Sequence, residues 1–285
     1  MAKENYISLR GQLRKDPTIV IDDMGEPISA VFSLHTLKRN VRDRAGNLDP
    51  KFDRPIILTS DPRLVQKIKS FKNHDIIEVK GNFTTGFVQK PKKCPVCGEV
   101  NIIETPFQVV TPLYVGVIRT GIENDAEGLH ELVETAEISN IAKMIGRVCS
   151  PTDHIYHGVT EIEQSYTKYQ LAVNRKYYMA TSNGYEDHTD YPYVISYEDV
   201  ADKDYAALKQ GALVYIDGYI HTMAFNIACK CEHCGSDFTF RSQRMLITPY
   251  STEYLRDYND DAIPETRANA QEMDIDTGGS KHDRH

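Results

Sequence analysis

Short runs of β-branched and aromatic residues, separated by polar turns, recur along most of the chain, and this pattern predicts short β-strands. In the second half such runs lie at residues 169–173, 193–195, 213–218 and 245–247. Residues 198–210 differ, because they carry apolar positions at Val200, Tyr205 and Leu208 and are followed by Gly211. This segment predicts a helix between the third and fourth strands.

The first half repeats this order. Its strands are predicted at residues 30–34, 56–58, 76–80 and 107–110, and its helix at residues 64–71. With an opening strand in each half, five short strands with a helix between the third and fourth are the pattern of an OB barrel. We therefore expect a mainly all-β protein of two tandem OB-fold five-stranded barrels, each with one helix.

A constant spacing between matching residues indicates that the two halves are copies. An offset of 137 residues links Leu34 to Leu171, Pro55 to Pro192, Gly81 to Gly218, Thr111 to Thr248 and Pro112 to Pro249. One register held over so many points indicates an internal duplication. We expect a first OB-fold domain at residues 1–120, a linker at 121–139, a second OB-fold domain at 140–255 and a disordered acidic tail at 256–285.

The segments outside the barrels are polar. The Glu-rich stretch 123–139 is expected to be helical or extended, and the tail has few large apolar residues, which favours disorder. No apolar run reaches membrane-spanning length, and residues 1–5 lack the apolar core of a signal peptide. We expect a soluble, cytoplasmic protein.

Four of the six cysteines form two C-x-x-C-G motifs, which we call the cysteine knuckles and which lie at residues 94–98 and 231–235. Both fall in the predicted loop between strands four and five. Such a turn directs two thiolates at one metal ion, and a structural zinc site needs four ligands. We expect Cys94, Cys97, Cys231 and Cys234 to share one structural Zn²⁺, provided that a pseudo-twofold axis relates the barrels.

Two alternatives to a shared zinc site remain open from the sequence. Each knuckle could form a separate site, completed by His233, by Cys229 or by a second molecule. The cysteines could also form a redox-active dithiol pair, although nothing else in the chain resembles thioredoxin chemistry.

The sequence does not favour an enzyme. A zinc ion held by four thiolates has no open position for a substrate. The H-x-E element that zinc deaminases pair with C-x-x-C is missing near the knuckles, and so is a phosphate-binding G-x-x-x-x-G-K-[ST] loop. We therefore expect a binding protein.

The motifs of the second copy resemble those of the bacterial single-stranded DNA-binding protein family. Residues 140–148 are similar to the family's opening strand, 171–175 to its second strand, and 211–218 to the strand after its helix. The first copy shows weaker versions at residues 5–13 and 78–81. The resemblance covers most of both halves but not the knuckles, the linker or the tail, and it implies OB folds that bind single-stranded DNA.

The resemblance also implies where bases stack on aromatic side chains. The residues at matching positions of the second copy are Tyr177, Tyr191, Tyr197 and Phe225, with Arg175, Lys176 and Lys168 as supplementary cations. The 137-residue offset places Asn40, Arg54, Ser60 and Val88 at these four aromatic positions in the first copy, and none of them is aromatic. Stacking is expected mainly in the second copy.

Charge is distributed unevenly between the copies. The chain has a formal net charge of −8, yet residues 1–120 contain 19 Lys and Arg against 13 Asp and Glu, while the remainder contains 14 against 28. The candidate phosphate contacts of the first copy are Lys38, Arg39, Arg42, Arg54, Lys92 and Lys93. Cations that meet phosphates release counterions and give salt-dependent affinity. The alternative is that these charges belong to solvated loops.

These observations predict a protein that binds single-stranded DNA without sequence preference and protects it in replication, recombination or DNA transfer. The first copy would supply phosphate contacts and the second base stacking. By analogy with relatives that have two barrels per chain, we expect a homodimer. The alternative is a replisome or primosome assembly module whose OB folds bind protein partners or RNA.

Overall fold

The computed structural model describes residues 3–39, 42–43, 45–175, 179–181, 184–186 and 188–259. The first copy contains β1 (Glu4–Leu13), β2 (Thr18–Ile21), β3 (Pro27–Leu37), β4 (Phe52–Asp53), β5 (Ile56–Thr59), α1 (Pro62–Ile68), β6 (Ile76–Lys93) and β7 (Val100–Arg119). Two helices follow, α2 (Asp125–Glu134) and α3 (Ala136–Ser139).

The second copy begins directly after α3. It contains β8 (Asn140–Val148), a 3₁₀ turn (Thr152–His154), β9 (Tyr156–Val159), β10 (Ser165–Asn174), β11 (Met179–Thr181), β12 (Gly184–Glu186), β13 (Thr189–Asp190), β14 (Tyr193–Tyr197), α4 (Glu198–Ala207), β15 (Leu213–Lys230) and β16 (Asp237–Arg256). The tail predicted to be disordered at residues 256–285 begins later than expected, because Arg256 ends β16 and Tyr258 packs against the core. Residues from 260 onward lie outside the described residues.

Each copy closes into a ring of five strands, which confirms the two OB folds. Ring 1 runs β1-β3-β5-β7-β6 and returns to β1, and ring 2 runs β8-β10-β14-β16-β15 and returns to β8. A short parallel contact closes each ring, between Ile57 and Val110 in ring 1 and between Val194 and Ile247 in ring 2. These two contacts lie at positions related by the 137-residue offset.

The opening strands follow a different offset. Leu13 pairs with Leu34 in ring 1, and Val148 pairs with Leu171 in ring 2, so Leu13 and Val148 are equivalent although they are 135 residues apart. Gly11 and Gly146 are related in the same way. A Cβ atom at Gly11 would lie 2.7 Å from the carbonyl oxygen of His35, which explains the glycine at this crossing of two strands.

The two rings join through an antiparallel pairing of β1 with β8. Ile7 pairs with Ala142, which is its own equivalent under the 135-residue offset. A residue that pairs with its own equivalent lies on a twofold axis, so a pseudo-twofold axis passes between these two residues. Their side chains are fully buried, in a hydrophobic core that is continuous through both rings.

Strands four and five are far longer than the sequence pattern predicts. β6 and β7 have 18 and 20 residues and form hairpin 1, and β15 and β16 have the same lengths and form hairpin 2. The outer parts of the hairpins lie beyond the barrel cores, where most side chains are half-buried or exposed. The strong alternation of hydrophobic and polar residues ends in these outer parts. The sequence pattern therefore does not predict the full length of the strands.

The helices of the two barrels, α1 and α4, occupy the predicted places, but their ends differ from the prediction. α1 begins earlier than expected, because the Asp61 side chain accepts a hydrogen bond from the Arg63 N–H and Pro62 occupies the first turn. It ends at Ile68, and Phe71 packs in the core beyond it. α4 ends at Ala207, since Leu208 has an extended backbone with ψ of 141°.

The segment between the rings is helical. The sequence predicts a helical or an extended segment there. Leu132 of α2 and Ala136 of α3 pack with Leu37 and Ile76 of the first copy, so these helices are fixed against ring 1. Among the described residues, no helix has the length and apolar character needed to cross a membrane.

Candidate metal centre and nucleic-acid interface

The cysteine knuckles form the tips of the two hairpins. In the first, the Cys94 N–H donates to the Glu99 carbonyl oxygen at 2.8 Å and the Gly98 N–H to the Cys94 carbonyl oxygen at 3.0 Å. Gly98 has a φ of 81°, a conformation that glycine adopts without strain. The second knuckle repeats both hydrogen bonds through Cys231, Ser236 and Gly235, at 2.9 Å each.

The two tips meet, and all four sulfur atoms lie within 4.8 Å of one another. The Cys94 Sγ is 3.8 Å from the Cys234 Sγ, and the Cys97 Sγ is 3.6 Å from the Cys231 Sγ. Zinc–sulfur bonds of about 2.3 Å in a tetrahedron place sulfur atoms about 3.8 Å apart, whereas a disulfide needs about 2.05 Å. The cluster therefore fits one four-thiolate metal ion.

The surroundings of the cluster stabilise this arrangement. The Asn101 side chain joins hairpin 1 to the second knuckle, since its Oδ1 accepts from the Glu232 N–H at 2.9 Å and its Nδ2 donates to the Cys231 Sγ at 3.5 Å. Backbone N–H groups of Cys234 and then His233 also hydrogen-bond to this sulfur and lower the pKa of the Cys231 thiol to about 6. A low thiol pKa favours the thiolate, the form that binds metal.

The outer face of ring 2 carries a row of aromatic and cationic side chains, the aromatic strip. Its members are Tyr156, Tyr166, Lys168, Tyr193, Arg244 and Phe225. The Tyr156 and Tyr166 rings are 5.6 Å apart, and the Lys168 ammonium lies 5.1 Å from the Tyr193 ring. The Arg244 guanidinium joins the far end, 5.5 Å from the Tyr193 ring and 4.4 Å from the Phe225 ring.

Strand alternation exposes this strip. On β10 the side chains of Tyr166 and Lys168 point outward, while Thr167 and Tyr169 are buried in the barrel. A surface cavity of about 510 Å³ borders the outward residues and extends to Tyr193. The Arg244 Nε is shielded from solvent, and the guanidinium lies between the Tyr193 and Phe225 rings.

The structure places the predicted stacking residues at different points of ring 2. Phe225 belongs to the aromatic strip, and the half-buried Tyr197 pairs across the sheet with Tyr166. Tyr191 is 49% exposed and borders a second cavity with Arg147 and Asn174, beyond the other end of β10. Tyr177 and Lys176 lie outside the described residues.

Four members of the strip were missed by the sequence analysis, which named neither the three tyrosines nor Arg244. The signal for Tyr193 is strand alternation, because it lies four positions before Tyr197 and on the same face of β14. The remaining members come together only through the pairing of β9 with β10 and the return of β16 beside β14.

The equivalent face of ring 1 has a different composition. Ile56 stands at the position of Tyr193, Val88 at that of Phe225, and Phe107 at that of Arg244. Ser29 and Val31 replace Tyr166 and Lys168. The matched positions of ring 1 therefore hold one aromatic residue, Phe107, and no Lys or Arg. Stacking in the second copy stays a prediction.

The predicted cations of the first copy lie against hairpin 2. The Lys38 ammonium is 5.0 Å from the Tyr219 ring, and the Arg39 guanidinium is 4.5 Å from the Tyr250 ring and 3.4 Å from the Asp217 carboxylate. Burial lowers the pKa of Lys38.

Lys38 and both tyrosines line a cavity of about 380 Å³, which also includes Arg42 and Lys51. The exposed Arg54 adjoins hairpin 2 through its backbone N–H, which donates to the Thr222 Oγ1 at 2.9 Å. At the hairpin tips Lys93 is exposed, and the Lys92 ammonium lies 4.6 Å from the Phe240 ring.

Arg175 occupies a position that does not suit its predicted contact with DNA. Its guanidinium makes two hydrogen bonds to the Asp190 carboxylate, at 2.6 and 2.8 Å, and the residue is only 7% exposed. The Asp190 Oδ1 also accepts the Thr85 N–H of hairpin 1 at 2.9 Å. Lys38 and Asp53 form the equivalent, looser pair in the first copy, with 3.9 Å between the charged atoms.

Comparison with models of known protein families finds no match, and neither does comparison with curated protein sequences. Among solved structures, the wild-type single-stranded DNA-binding protein from Thermus aquaticus matches with a TM-score of 0.55 and 13% identity, over 90% of this chain and 95% of that chain. A deletion mutant of the Thermus aquaticus protein matches with a TM-score of 0.54 and 14% identity, over 92% of this chain and 100% of that chain. The chain therefore has a tandem OB fold similar to that of the Thermus aquaticus protein.

Proposed function

We propose that the protein binds single-stranded DNA without sequence preference and covers exposed strands during replication, recombination or DNA transfer. The observation that carries this proposal is the aromatic strip, where four aromatic rings alternate with two cations on one open face. Every base has a π-face, so such a row binds bases of any sequence, while its cations attract phosphates. The fold shared with the Thermus aquaticus protein supports the same function.

The strip suits an extended strand more than a compact ligand. Outward residues of β10 follow one another from Tyr166 at one end to Asn174 at the other, next to Tyr191. Eight residue steps of a β-strand span roughly 26 Å. That length matches a path for several nucleotides, within the usual range of about 4 to 16 per OB fold.

In this proposal the first copy supplies phosphate contacts. Arg42, Arg54 and Lys93 are exposed, whereas the Arg39 guanidinium lies against the Tyr250 ring and the Asp217 carboxylate. Arg54 lies beside Gln243 of hairpin 2, whose neighbour Arg244 belongs to the strip. A strand leaving the strip at Arg244 would meet the cations of the first copy next.

Binding of a labelled oligo-dT, measured by fluorescence anisotropy at low and moderate salt, tests the proposal. We expect saturable binding that weakens as salt rises, because phosphate contacts release counterions. Equal affinity for oligo-dT and oligo-dC of the same length would support stacking without base readout. Absence of salt-sensitive binding would refute the proposal and favour the assembly module, and stronger binding to oligo-U would favour RNA.

We further propose that the cluster of four cysteines holds one structural Zn²⁺ that joins the two hairpins. Its donor set and sulfur spacing fit tetrahedral zinc. Metal analysis of the purified chain should give one zinc per molecule, and Cys94→Ser should remove it completely. Retention of half of the zinc in that variant would indicate two separate sites instead. The expected homodimer remains a prediction, which sedimentation equilibrium tests.

A further inference from the structure

Two sulfur–sulfur contacts of the cysteine cluster connect the two copies. They join Cys94 to Cys234 at 3.8 Å and Cys97 to Cys231 at 3.6 Å, so each of these pairs contains one cysteine from each knuckle. Each pair also combines a buried cysteine with an exposed one, since Cys97 and Cys234 are exposed while Cys94 and Cys231 are buried. An oxidant in solution can therefore reach one member of each pair.

We propose that the cluster is a site of reversible oxidation, at which a hydroperoxide releases the metal and forms two disulfides between the copies, Cys94–Cys234 and Cys97–Cys231. In each pair the exposed thiolate sulfur attacks a peroxide oxygen, the O–O bond breaks, and a sulfenic acid forms while the other oxygen leaves as water. The buried thiolate then attacks that sulfur, an S–S bond forms, and the sulfenic oxygen leaves as a second water.

The electrons and atoms of this reaction balance. Four thiolates lose four electrons to make two disulfides, and two hydroperoxide molecules accept them with four protons to give four waters when the oxidant is hydrogen peroxide. The zinc ion leaves unchanged because disulfide sulfur is a poor ligand. A dithiol reductant reverses the reaction and restores the four ligands.

The position of the cluster links this chemistry to the aromatic strip. Phe225 pairs with Ser242 and Met223 with Arg244, so these side chains share one face of hairpin 2. The same face continues to Phe238 and Phe240, and Phe238 packs against Cys94 and Cys231. Disulfides between the copies would keep the two hairpin tips together after the metal has left. The consequence for DNA rests on the proposed function, whereas the disulfide pairing does not.

Peptide mapping under non-reducing conditions tests the pairing on the full chain, loaded with zinc and treated with hydrogen peroxide. We expect peptides that join the two cross-copy pairs, with release of zinc recorded by a colorimetric chelator. The variant with Cys149→Ala and Cys229→Ala serves as the control, since it retains only the four clustered cysteines. Disulfides within a knuckle, Cys94–Cys97 or Cys231–Cys234, would overturn the proposal, and so would sulfonic acids without disulfides.

Measurements of oligo-dT affinity test whether the disulfides between the copies preserve DNA binding, and they do so separately from the proposed function. The oxidised chain should bind within about threefold of the zinc-loaded chain, whereas the reduced chain stripped by a chelator should lose about tenfold, the loss expected when one stacking contact is displaced. Equal affinity of the stripped and loaded chains would overturn the link to the strip, and so would a tenfold loss in the oxidised chain. If the zinc-loaded chain does not bind oligo-dT at all, the proposed function fails while the disulfide map still decides the oxidation site.

Discussion

Ring 1 and ring 2 share one set of strand pairings but present different outer faces. Each ring closes through a parallel contact at the same position, and each has a hairpin ending in a cysteine knuckle. On the outer face, however, Tyr193 and Phe225 of ring 2 correspond to Ile56 and Val88 of ring 1. Backbone pairing determines the ring, so the outer face could change without changing the fold.

The interiors of the rings have diverged as well. In ring 2 the Asp204 carboxylate is fully buried and accepts hydrogen bonds from the hydroxyls of Tyr169 and Tyr254, at 3.2 and 2.8 Å. The equivalent positions of the two tyrosines in ring 1 hold Phe32 and Val117. The two copies therefore share pairing register and knuckles but differ in the polar and aromatic residues of their faces and interiors.

We expect the largest effect, a change in oligo-dT affinity, when outer-face residues of one ring are replaced by the kind of residue found in the other ring. Replacing Tyr193 and Phe225 by leucine keeps apolar volume but removes two π-faces, at about 1 to 3 kcal/mol per stacked base. We expect oligo-dT affinity to fall by about 2 to 6 kcal/mol, measured by anisotropy at fixed salt. The reciprocal variant, Ile56→Tyr with Val88→Phe, should bind more tightly than the wild type.

The control for this exchange is Val88→Leu, a change at the matched position of ring 1 that adds no aromatic ring. Its affinity should equal that of the wild type. Both double variants could instead bind oligo-dT as tightly as the wild type and unfold at the same temperature. Base stacking would then not be confined to ring 2, and the different outer faces of the rings would have no role in DNA binding.

The second effect concerns the buried ion pairs that join each ring to the other copy's hairpin. Asp190→Asn removes the negative charge from the group that accepts two hydrogen bonds from the buried Arg175 guanidinium. Breaking such a buried pair costs about 3 to 5 kcal/mol of unfolding free energy. Asp53→Asn should cost only about 1 kcal/mol, because the side chain of Lys38 is 22% exposed and can reach water.

Urea unfolding of both variants, followed by circular dichroism, measures this difference. Equal losses for the two substitutions would show that the two ion pairs are equally important, despite the contrast in geometry. A loss of oligo-dT affinity in Asp190→Asn without a loss of stability would instead place Arg175 in contact with DNA, as the resemblance first implied.

Sequence pattern predicted the repeated architecture well because duplication supplies many matched points. The 137-residue offset linked the cysteines of both knuckles and the glycines at the hairpin bases, and the structure brings these residues to equivalent places. The sequence pattern does not show the 135-residue offset that relates β1 to β8, because the offset changes from 135 to 137 residues after these strands. The pairing of Leu13 with Leu34 and of Val148 with Leu171 reveals it.

Side-chain environments were harder to predict than strands. Arg175 follows a strand and looks like a surface cation, but its partner Asp190 lies beyond the turn, and only the folded chain brings the two together. The aromatic strip likewise draws its residues from five strands, so no local pattern contains it. Local periodicity predicts which residues form a strand, whereas tertiary pairing decides which of them meet.

The third effect is a pH dependence of stability that arises from Asp204 of ring 2. Burial raises the pKa of Asp204 to about 6, from a usual value of 3.8, although hydrogen bonds from Tyr254 and other hydroxyls oppose the shift. The folded state therefore holds this proton more tightly than the unfolded state does. Its contribution to stability is fully present below pH 3.8 and is lost as the pH rises to about 6, by about 3 kcal/mol in total.

The difference in unfolding free energy between wild type and Asp204→Asn isolates this group, because all other groups titrate in both proteins. We expect the wild type to lose stability relative to the variant between about pH 4 and pH 6 and to show a constant difference above pH 7. Parallel stability curves across this range would show that Asp204 has an ordinary pKa and that the interiors of the rings are electrostatically alike.

The smallest effect should come from single cations of the first copy, and it should change the salt dependence more than the affinity. Removing one phosphate contact lowers the slope of log K against log salt by about 0.7 for a single strand. We expect this change for Arg42→Ala, which borders the cavity with Tyr219 and Tyr250. Arg63→Ala on α1 removes the same charge from a guanidinium that lies 2.9 Å from Asp61, and its slope should stay at the wild-type value. Equal slopes for both variants would mean that the basic first copy attracts DNA only through its net charge, and the division of phosphate contacts and stacking between the rings would then be wrong.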